Sequence, residues 1–498
     1  MKNYSHNPLT NEKCEIPSVP DDAVAMDKFI SLNEGKPIVV VQGLGFVGAV
    51  MSLVCANSIK EEYAVIGVDL ADEETYWKIK SINEGQFPLI ADDPKIPEFF
   101  ESSKDKGNFY ATYDENAYSF ADYIIVDINL DVQKSSSVDN ALTSFDVDLT
   151  GFKKAISVIG QNCKENVTVL VETTVPPGTC LNVVQPILQE ELTKRGLPQH
   201  LINIGHSYER VMPGPEYIDS IRCYPRVYSG IDDKSAQAVQ AFLETIIDTS
   251  SCELTRLEHT NASEMAKVLE NAYRATNIAF AVEWSRFAEE AGVDLYEIVN
   301  AIRVRKTHSN LMYPNIGVGG YCLTKDPLLA SWARKSFFGA DSKLEMSVNS
   351  VSINDQMPVY AYHRLLQVFG SVKGADVAFF GVSYRGDVGD TRFTPVESMV
   401  NLVQSGGAQI KLHDPFVSYW SELSCRVESE VDKALVPQPD IIIISTAHSS
   451  YKSEAFVDEI LSAPASKVFD AVGLFSNEQI QKLKSRHAVS VLGRGDIS

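Results

Sequence analysis

The chain has 498 residues, of which 44% are hydrophobic and 22% charged, and its formal net charge is −22. This length exceeds one ordinary hydrophobic core, so we expect two or three domains. The negative field repels nucleic acid and anionic membrane surfaces, which argues against both as partners. The eight cysteines form no C-x-x-C pair or metal-type cluster, and residues 1–35 contain no apolar signal region. We therefore expect a cytoplasmic protein with reduced thiols, no membrane span and no bound metal.

Residues 1–35 are predicted to form a polar N-terminal arm, in which residues 24–32 could make a short helix. The first domain is predicted over residues 36–252. It opens with the buried-strand run IVVVQ, which is followed by GLGFVG and by an apolar run typical of a helix. Further apolar runs alternate with helical patterns along this domain. This alternation predicts a mostly parallel, doubly wound sheet.

The sequence GLGFVG has the glycine spacing of a dinucleotide-binding turn between a strand and a helix. The first glycine permits the tight turn, the second lets the backbone reach a pyrophosphate, and the third allows close helix packing. A carboxylate ends the next strand, about 20 residues later, where it can accept hydrogen bonds from the adenosine ribose. Its negative charge would repel a 2′-phosphate. We therefore predict NAD rather than NADP, held by Gly43, Gly45, Phe46, Val47, Gly48 and Asp69.

The sequence ETTVPPGT, which begins at Glu172, ends a strand and turns sharply. In a doubly wound sheet the carboxyl ends of the strands face the ligand crevice. We therefore predict that Glu172 and Thr174 bind the cofactor. The alternative is a proline-stiffened loop that has no role in binding.

A central helical domain is predicted over residues 253–350, with one long helix from about Glu258 to Ala291. Lys267 and Asn271 are four residues apart and share a face of this helix. Both side chains could donate hydrogen bonds to a developing oxyanion. A solvated lysine beside an exposed asparagine would give the same pattern.

A cysteine, Cys322, lies in the glycine-dense sequence GVGGYCLTKDP. The glycines let the backbone approach a substrate closely and leave the thiol uncrowded. Lys325 brings a cation near the sulfur, which can favour the nucleophilic thiolate, and Asp326 adds a carboxylate. A structural cysteine in a turn is the alternative.

A second α/β pattern is predicted over residues 351–498, with strands at ADVAFFGVSY, AQIKLHD, PDIIIIST and SKVFDAVG and a helix over Pro395–Ser405. Its GVSYRGD sequence is an incomplete dinucleotide fingerprint, so we predict a Rossmann-like fold that serves a different ligand. Arg392 follows the first of these strands, where such a fold would hold an anion. A surface salt bridge with Asp387 or Asp390 is the alternative.

Seven ordered motifs resemble those of the UDP-glucose/GDP-mannose dehydrogenase family: GLGFVG, ETTVPPGT, HSYERVMPG, EMAKVLENAYRATNIAFAVE, GVGGYCLTKDP, GVSYRGDVGDTR and HDPFV. The resemblance implies an α/β protein with two Rossmann-like doubly wound domains, joined by a long central helix and a helical dimerisation region. It also implies NAD-dependent, four-electron oxidation of the C6 alcohol of a UDP-sugar to a uronate, in polysaccharide precursor synthesis. GVGGYC is closer to the family's enzymes for N-acetylated sugars, which implies a UDP-N-acetylhexosamine.

The same resemblance implies roles for individual residues. Cys322 would form a thiohemiacetal and then a thioester, Lys267 and Asn271 would stabilise the oxyanion, and Asp326 would help to activate water. The long helix would pack against its mate in a homodimer, in which Arg303 or Arg305 would reach the partner's site. Substrate contacts would come from Glu209, Arg210, Gly319, Lys325 and Arg392.

The chain departs from the family at three places. Leu130 stands where the family has a threonine, Tyr321 precedes the cysteine where the family has serine or histidine, and Ala471-Val472 follows Asp470 in place of a D-x-R motif. The alternatives are a UDP-glucose or GDP-mannose 6-dehydrogenase, a two-electron dehydrogenase of the 6-phosphogluconate type, or an inactive nucleotide-sugar sensor. The 6-phosphogluconate type needs no second α/β domain, so the C-terminal pattern argues against it.

Overall fold

The computed structural model describes residues 3–10, 12–17, 22–89, 93–211, 214–464 and 466–497. The strands in these ranges are β1 Tyr4–His6, β2 Lys13–Glu15, β3 Ile38–Gln42, β4 Ala64–Val68, β5 Phe109–Thr112, β6 Tyr123–Val126, β7 Val132–Ser136, β8 Leu142–Val147, β9 Thr168–Val171, β10 Asn203–Tyr208, β11 Arg226–Gly230, β12 Leu254–Arg256, β13 Asp376–Phe380, β14 Gln409–His413, β15 Tyr419–Trp420, β16 Cys425–Arg426, β17 Ile441–Ile444, β18 Lys467–Asp470 and β19 Ala488–Val491.

The α-helices in the same ranges are α1 Ala23–Leu32, α2 Phe46–Ala56, α3 Tyr76–Asn83, α4 Lys95–Lys106, α5 Thr150–Asn162, α6 Gln185–Lys194, α7 Tyr217–Arg222, α8 Asp233–Ile246, α9 Thr260–Ala291, α10 Leu295–Arg303, α11 Asp326–Ser336, α12 Glu345–Phe369, α13 Pro395–Ser405, α14 Val431–Ala434, α15 Glu454–Ser462 and α16 Asn477–Lys484.

The chain divides into two compact units. The first comprises Met1–Asp131, Val147–Val268 and Ser336–Gly339. The second comprises Val132–Asp146, Leu269–Lys335 and Ala340–Ser498. The domain limits at residues 252 and 350 stay predictions, and residue 350 falls inside α12.

The first unit contains an eight-stranded sheet in the order β12-β11-β10-β9-β6-β3-β4-β5. Neighbouring strands are parallel except β10 and β11, which are antiparallel. From β3 the chain runs outward through β4 to β5 and then returns to β6 on the other side of β3. Ligands of doubly wound sheets bind at such a switch point, beyond the carboxyl ends of the strands. The predicted doubly wound sheet is confirmed.

The amino-terminal residues pack onto this first unit. β1 and β2 form an antiparallel pair that was not predicted, and the predicted helix over residues 24–32 is confirmed as α1. The Ser5 hydroxyl donates to the Glu73 carbonyl at 2.9 Å and accepts from the Trp77 N–H at 3.1 Å. The Tyr110 hydroxyl donates to the Asp22 carboxylate at 2.6 Å. Part of the predicted polar arm is therefore anchored to the domain that follows it.

The second unit contains a five-stranded parallel sheet in the order β14-β13-β17-β18-β19. Its inner strands β13 and β17 are mainly apolar, as expected for a parallel sheet with both faces buried. The helix predicted over Pro395–Ser405 is confirmed as α13, where Thr394 caps the amino terminus and Pro395 supplies a preset backbone angle. The second Rossmann-like fold is confirmed, with the additional strand β19.

An insertion between β6 and α5 forms the antiparallel hairpin β7–β8, which packs in the second unit. Lys134 forms an ion pair of 2.8 Å with Asp355 of α12, and the Leu142 N–H donates to the Ser352 hydroxyl at 3.0 Å. The apolar side chains of the hairpin pack against a cluster made of Leu328, Val348 and Val351. No helix within the described residues is long and apolar enough to cross a bilayer.

Candidate active site

The GLGFVG turn is built for close backbone approach. Gly43 has φ +95°, and a Cβ there would lie 2.2 Å from the Asp127 carbonyl oxygen. A Cβ at Gly48 would lie 1.9 Å from the Gly43 carbonyl oxygen, so this residue must also lack a side chain. A Cβ at Gly45, in contrast, would meet no atom within 4 Å. Gly45 caps α2, whose first N–H groups can bind a pyrophosphate that occupies the open space.

Asp69 follows β4 beside this turn. Its carboxylate accepts from the Leu44 N–H at 2.9 Å and from the Leu70 N–H at 2.8 Å, which orients it at the strand end. Lys78 of α3, which the sequence did not single out, places its ammonium 3.8 Å from the same carboxylate. The turn contains two further residues predicted to bind the cofactor: Phe46 is exposed and Val47 is partly buried.

We expect Gly45→Ala to fold normally but to bind NAD at least about tenfold more weakly, because the added methyl group occupies space that is open only to a ligand. Thermal melting and NAD titration of the two forms measure the effect. Gly43→Ala is the contrast, since its clash and its positive φ should lower the free energy of unfolding by about 2–4 kcal/mol. Unchanged NAD affinity in Gly45→Ala would place the cofactor elsewhere.

The strand-end sequence ETTVPPGT is anchored inside the first unit. Glu172 is completely buried and forms an ion pair with Arg226, whose Nε also donates to the Ser207 hydroxyl at 3.0 Å. The Thr173 hydroxyl accepts from the Ile128 N–H at 2.8 Å. Thr174 is partly exposed, while binding of the cofactor by Glu172 or Thr174 stays a prediction.

Asp127, a residue that the sequence did not indicate, directly follows β6 and lies next to the glycine turn. Burial, together with the charge of Glu209, raises the pKa of this carboxyl above its usual value, although Arg226 opposes the shift. The first unit thus gathers several buried charges at the carboxyl ends of its strands, as expected near a catalytic site.

Lys267 is buried on α9 rather than solvated. Its ammonium donates to the Glu209 carbonyl at 2.8 Å, lies 3.5 Å from the Glu209 carboxylate, and stands 5.4 Å from the centre of the Tyr208 ring. The surface-lysine alternative is therefore wrong. The neighbouring Arg210 instead donates to the Pro225 carbonyl at 2.7 Å.

Cys322 is exposed in the loop before α11, whereas the other seven cysteines are buried or partly buried. Its carbonyl accepts from the Lys325 N–H at 3.2 Å and from the Asp326 N–H at 2.9 Å, so the loop closes as a tight turn. Asp326 is completely buried and accepts from the Asn271 amide at 2.6 Å and from the Lys325 ammonium at 3.1 Å. The Lys325 ammonium lies 4.5 Å from the centre of the Tyr321 ring.

Four predicted residues of the second unit therefore lie together: the exposed thiol and the connected side chains of Asn271, Lys325 and Asp326. Exposure leaves the thiol open to a substrate and argues against a packing role for this cysteine. The contacts of Asn271 with Asp326 also rule out the exposed-asparagine alternative. Such a group can provide a nucleophile, hydrogen-bond donors and a carboxylate.

Arg392 forms an ion pair with Asp390, with Nη2 to Oδ2 at 2.6 Å and Nε to Oδ1 at 2.9 Å. The salt bridge with Asp390, which the sequence analysis gave as the alternative to anion binding, is therefore present. The Arg392 carbonyl accepts from the Gly320 N–H at 3.1 Å, which joins this segment to the cysteine loop. A Cβ at Gly319 would lie 2.4 Å from Cβ of Tyr384, so the loop needs a glycine there to pack closely.

Three family models match the chain in order. They are the NAD-binding domain of the UDP-glucose/GDP-mannose dehydrogenase family at residues 37–247, its central domain at 261–355 and its UDP-binding domain at 378–477. This chain belongs to the UDP-glucose/GDP-mannose dehydrogenase family. Membership confirms the NAD prediction and makes the protein an oxidoreductase. It also excludes the 6-phosphogluconate type, because all three domains are present.

Relatives in this family act on several sugar nucleotides. The chain is 29% identical over 469 residues to a UDP-N-acetyl-D-mannosamine dehydrogenase of Methanocaldococcus jannaschii, covering 93% of this chain and 97% of that protein. It is 25% identical to an NDP-N-acetyl-D-galactosaminuronic acid dehydrogenase of Ralstonia nicotianae, covering 91% of this chain and 100% of that protein. A solved UDP-D-ManNAc dehydrogenase of Pyrococcus horikoshii superimposes with a TM-score of 0.75 at 25% identity, covering 92% of this chain and 100% of that one.

Proposed function

We propose that this protein is an NAD-dependent 6-dehydrogenase of a UDP-N-acetylhexosamine, which makes a uronate for polysaccharide precursor synthesis in the cytoplasm. The observation that carries the proposal is the exposed Cys322 beside the connected side chains of Lys325, Asp326 and Asn271. The names of the relatives from Methanocaldococcus jannaschii and Ralstonia nicotianae support an N-acetylated sugar.

When bound, NAD⁺ supplies a hydride acceptor, and the four-electron oxidation consumes two equivalents. The residues suited to hold it are the glycine turn at Gly43–Gly48, Asp69 and the partly exposed Thr174. The first oxidation turns the C6 alcohol into an aldehyde, with loss of a hydride from carbon and a proton from oxygen. Lys267 and Asn271 donate hydrogen bonds to the oxygen that develops negative charge.

Cys322 acts on the aldehyde. Its thiolate adds to C6 and forms a C–S bond, while the carbonyl oxygen takes up a proton to give a thiohemiacetal. This intermediate again has a hydrogen on C6 and a hydroxyl on the same carbon. Loss of the C6 hydride and the hydroxyl proton then gives a thioester. The covalent link retains the aldehyde between the two oxidations, which is why the reaction needs a thiol.

Hydrolysis releases the product. Water adds to the thioester carbonyl, the C–S bond breaks, and the Cys322 thiolate is regenerated together with the carboxylate of the uronic acid. Asp326 assists by accepting a proton from the attacking water. Its carboxylate is oriented for this task by the amide of Asn271 and the ammonium of Lys325.

We assign substrate contacts to the side chains of Glu209, Arg210, Lys325 and Arg392 and to the backbone at Gly319. Arg392 offers a cationic group suited to a diphosphate, which its planar guanidinium can bind in a bidentate way. Asp390, which now pairs with Arg392, would have to share it with the ligand. Gly319 can offer the substrate only backbone groups, because Tyr384 occupies the space where a side chain would lie.

A substrate screen tests the proposed substrate class. Purified protein and NAD⁺ would be incubated with UDP-GlcNAc, UDP-ManNAc, UDP-GalNAc, UDP-glucose and GDP-mannose, with NADH absorbance followed and the acid product identified by mass spectrometry. We expect one of the three N-acetylated sugars to give the highest kcat/KM. A higher kcat/KM with UDP-glucose or GDP-mannose would show that the preferred substrate is not an N-acetylated sugar. Tight UDP-sugar binding without NADH from any sugar would identify an inactive sensor.

The protein acts as a homodimer that buries one face of α9. Large apolar side chains recur there at helical spacing and are exposed in the single chain: Leu269 64%, Tyr273 56%, Phe280 51%, Trp284 45% and Phe287 58%. An exposed apolar stripe of this kind marks a site for association. The resemblance also gives Arg303 or Arg305 a role in the partner's site; in the single chain Arg303 Nε donates to the Ser309 carbonyl at 2.9 Å.

We expect Trp284→Glu to convert the dimer to a monomer, because the substitution buries an unpaired charge in an apolar interface. Leaving one charge of a buried ion pair without its partner costs about 3–5 kcal/mol, and we expect a similar loss of dimer stability. Sedimentation velocity measures the change. Val138→Glu is the matched control, since Val138 is 97% exposed at the tip of the β7–β8 hairpin and lies outside the stripe. A Trp284→Glu protein that sediments like the parent would contradict the assignment of this face.

A further inference from the structure

A buried carboxylate on α9 binds the strand-end loop of the first unit. Glu264 is completely buried, and its two oxygens accept hydrogen bonds from the Gly178 N–H at 2.6 Å and the Cys180 N–H at 2.8 Å. These N–H groups lie where a π-type turn at Cys180–Val184 begins and leads into α6. Backbone donors at such a beginning have no partner within the helix, and their dipoles favour a negative charge.

This single side chain connects two segments with different tasks. The loop that it binds follows Thr174, which is a candidate contact of the cofactor. Glu264 itself precedes Lys267 by three residues and Asn271 by seven on α9, so the three side chains share one face of the helix. The position of Glu264 therefore links the proposed oxyanion donors to the proposed cofactor loop.

We propose that Glu264 is a positioning residue for the oxidation, whose carboxylate locks the loop from Glu172 to Cys180 onto α9. Its role in turnover rests on the proposed function. The attachment of the loop to α9 by these two hydrogen bonds, called the lock below, does not. Both hydrogen bonds are charge-assisted and short, and each loses strength when the carboxyl is protonated. Release of the loop would let Thr174 and Lys267 move independently of each other, and small misplacements of this kind lower rates strongly.

The lock is sensitive to pH. Burial raises the pKa of the Glu264 carboxyl to about 7, although hydrogen bonds from Cys180 and Gly178 oppose the shift. The Cys180 thiol faces it from the loop, and burial raises the pKa of that thiol well above its usual value, so it stays neutral. On β10, burial lowers the pKa of His206 to about 3, so this imidazole is neutral as well. Lys267 supplies the nearest cation on α9 itself, one turn away.

Protonation of Glu264 weakens the lock. Below about pH 7 the protonated carboxyl can no longer accept both N–H groups as an anion, and the loop loosens. Above this pH the carboxylate forms both bonds. Turnover of the parent protein should therefore fall as the pH drops through about 7.

Glu264→Gln tests the proposal, because the amide has nearly the same size but no charge, and its NH₂ group cannot accept. We expect kcat to fall about 10- to 100-fold and the limb of the pH profile near 7 to disappear. Glu264→Asp keeps the charge and should restore that limb, although at lower kcat. Glu290→Gln, which removes an exposed carboxylate near the end of the same helix, is the control and should match the parent.

Hydrogen exchange provides a readout that needs neither substrate nor cofactor. Peptides that cover residues 172–184 should exchange faster in Glu264→Gln than in the parent or in Glu290→Gln, while melting temperature reports that the variants are folded. The proposal is overturned by unchanged exchange in this segment, or by an unchanged kcat with the same pH limb. A parent protein that reduces no NAD⁺ with any sugar nucleotide would instead contradict the proposed function, and the exchange data would still decide whether the lock exists.

Discussion

Replacement of Cys322 by serine is expected to abolish uronate formation, with a fall in kcat for the acid of at least about 10³-fold. The hydroxyl of serine is ionised far less readily than the thiol, so it does not capture the aldehyde as a covalent adduct at neutral pH. The first oxidation does not require the sulfur. We therefore expect at most one NADH per sugar, together with released aldehyde or its hydrate.

The effect is measured by counting NADH against product in a coupled mass-spectrometric assay. Cys425→Ser is the matched control, because Cys425 is a partly buried thiol of the second unit that lies outside the candidate site. This control should form acid at the rate of the parent. Continued formation of two NADH per acid by Cys322→Ser would show that the sulfur forms no covalent intermediate.

Replacement of Lys267 by methionine is expected to lower kcat by about 10²–10³-fold, which is the usual cost of removing one oxyanion donor. Methionine fills a similar volume in this buried position but offers no N–H group. The loss also leaves the carboxylate and the carbonyl of Glu209 without the ammonium that they contact at 3.5 Å and 2.8 Å. The KM for the UDP-sugar should rise much less than kcat falls.

Steady-state kinetics measure the loss of the oxyanion donor, and a thermal melt measures any loss of stability from the broken contacts with Glu209. Lys194→Met is the control, because Lys194 is 56% exposed in α6 and pairs there with Glu190. A surface pair of this kind contributes little, so the control should keep its kcat and its stability. A Lys267→Met protein with the kcat of the parent would remove Lys267 from the reaction.

The sequence alone was sufficient to predict the turns, helices and strands that depend on local patterns of residues. The glycine turn at Gly43, the helix at Pro395–Ser405 and the apolar runs of the two sheets all follow from residue type and spacing within short segments. The candidate thiol at Cys322 was found in the same way, because glycine density and a nearby cation are visible in the sequence.

Contacts between distant segments could not be predicted in this way. Nothing near Glu264 indicates that its carboxylate binds the backbone at Gly178, and nothing near Glu172 indicates an ion pair with Arg226. The ammonium of Lys78 beside Asp69 was missed because it depends on how α3 packs. The β7–β8 hairpin was missed for a similar reason, since polar strands that pack in the other unit lack a clear apolar alternation.

Two of the three departures from the family are explained by contacts in the structure. Tyr321 places its ring against the ammonium of Lys325 at 4.5 Å, so it can hold this cation by a cation–π contact where the family has serine or histidine. Asp470 is buried and accepts from the N–H groups of Val472 and Phe475, both at 3.1 Å, which gives it a role in the turn after β18. Leu130 is buried and offers no hydroxyl.

The stoichiometry of NADH to uronic acid tests the central claim most directly. The parent protein would be given a limiting amount of the preferred UDP-sugar with excess NAD⁺, and both products would be quantified at completion. We predict two NADH for each uronic acid, without free aldehyde during turnover. One NADH per sugar, with an aldehyde or ketone as the final product, would contradict the four-electron oxidation through Cys322.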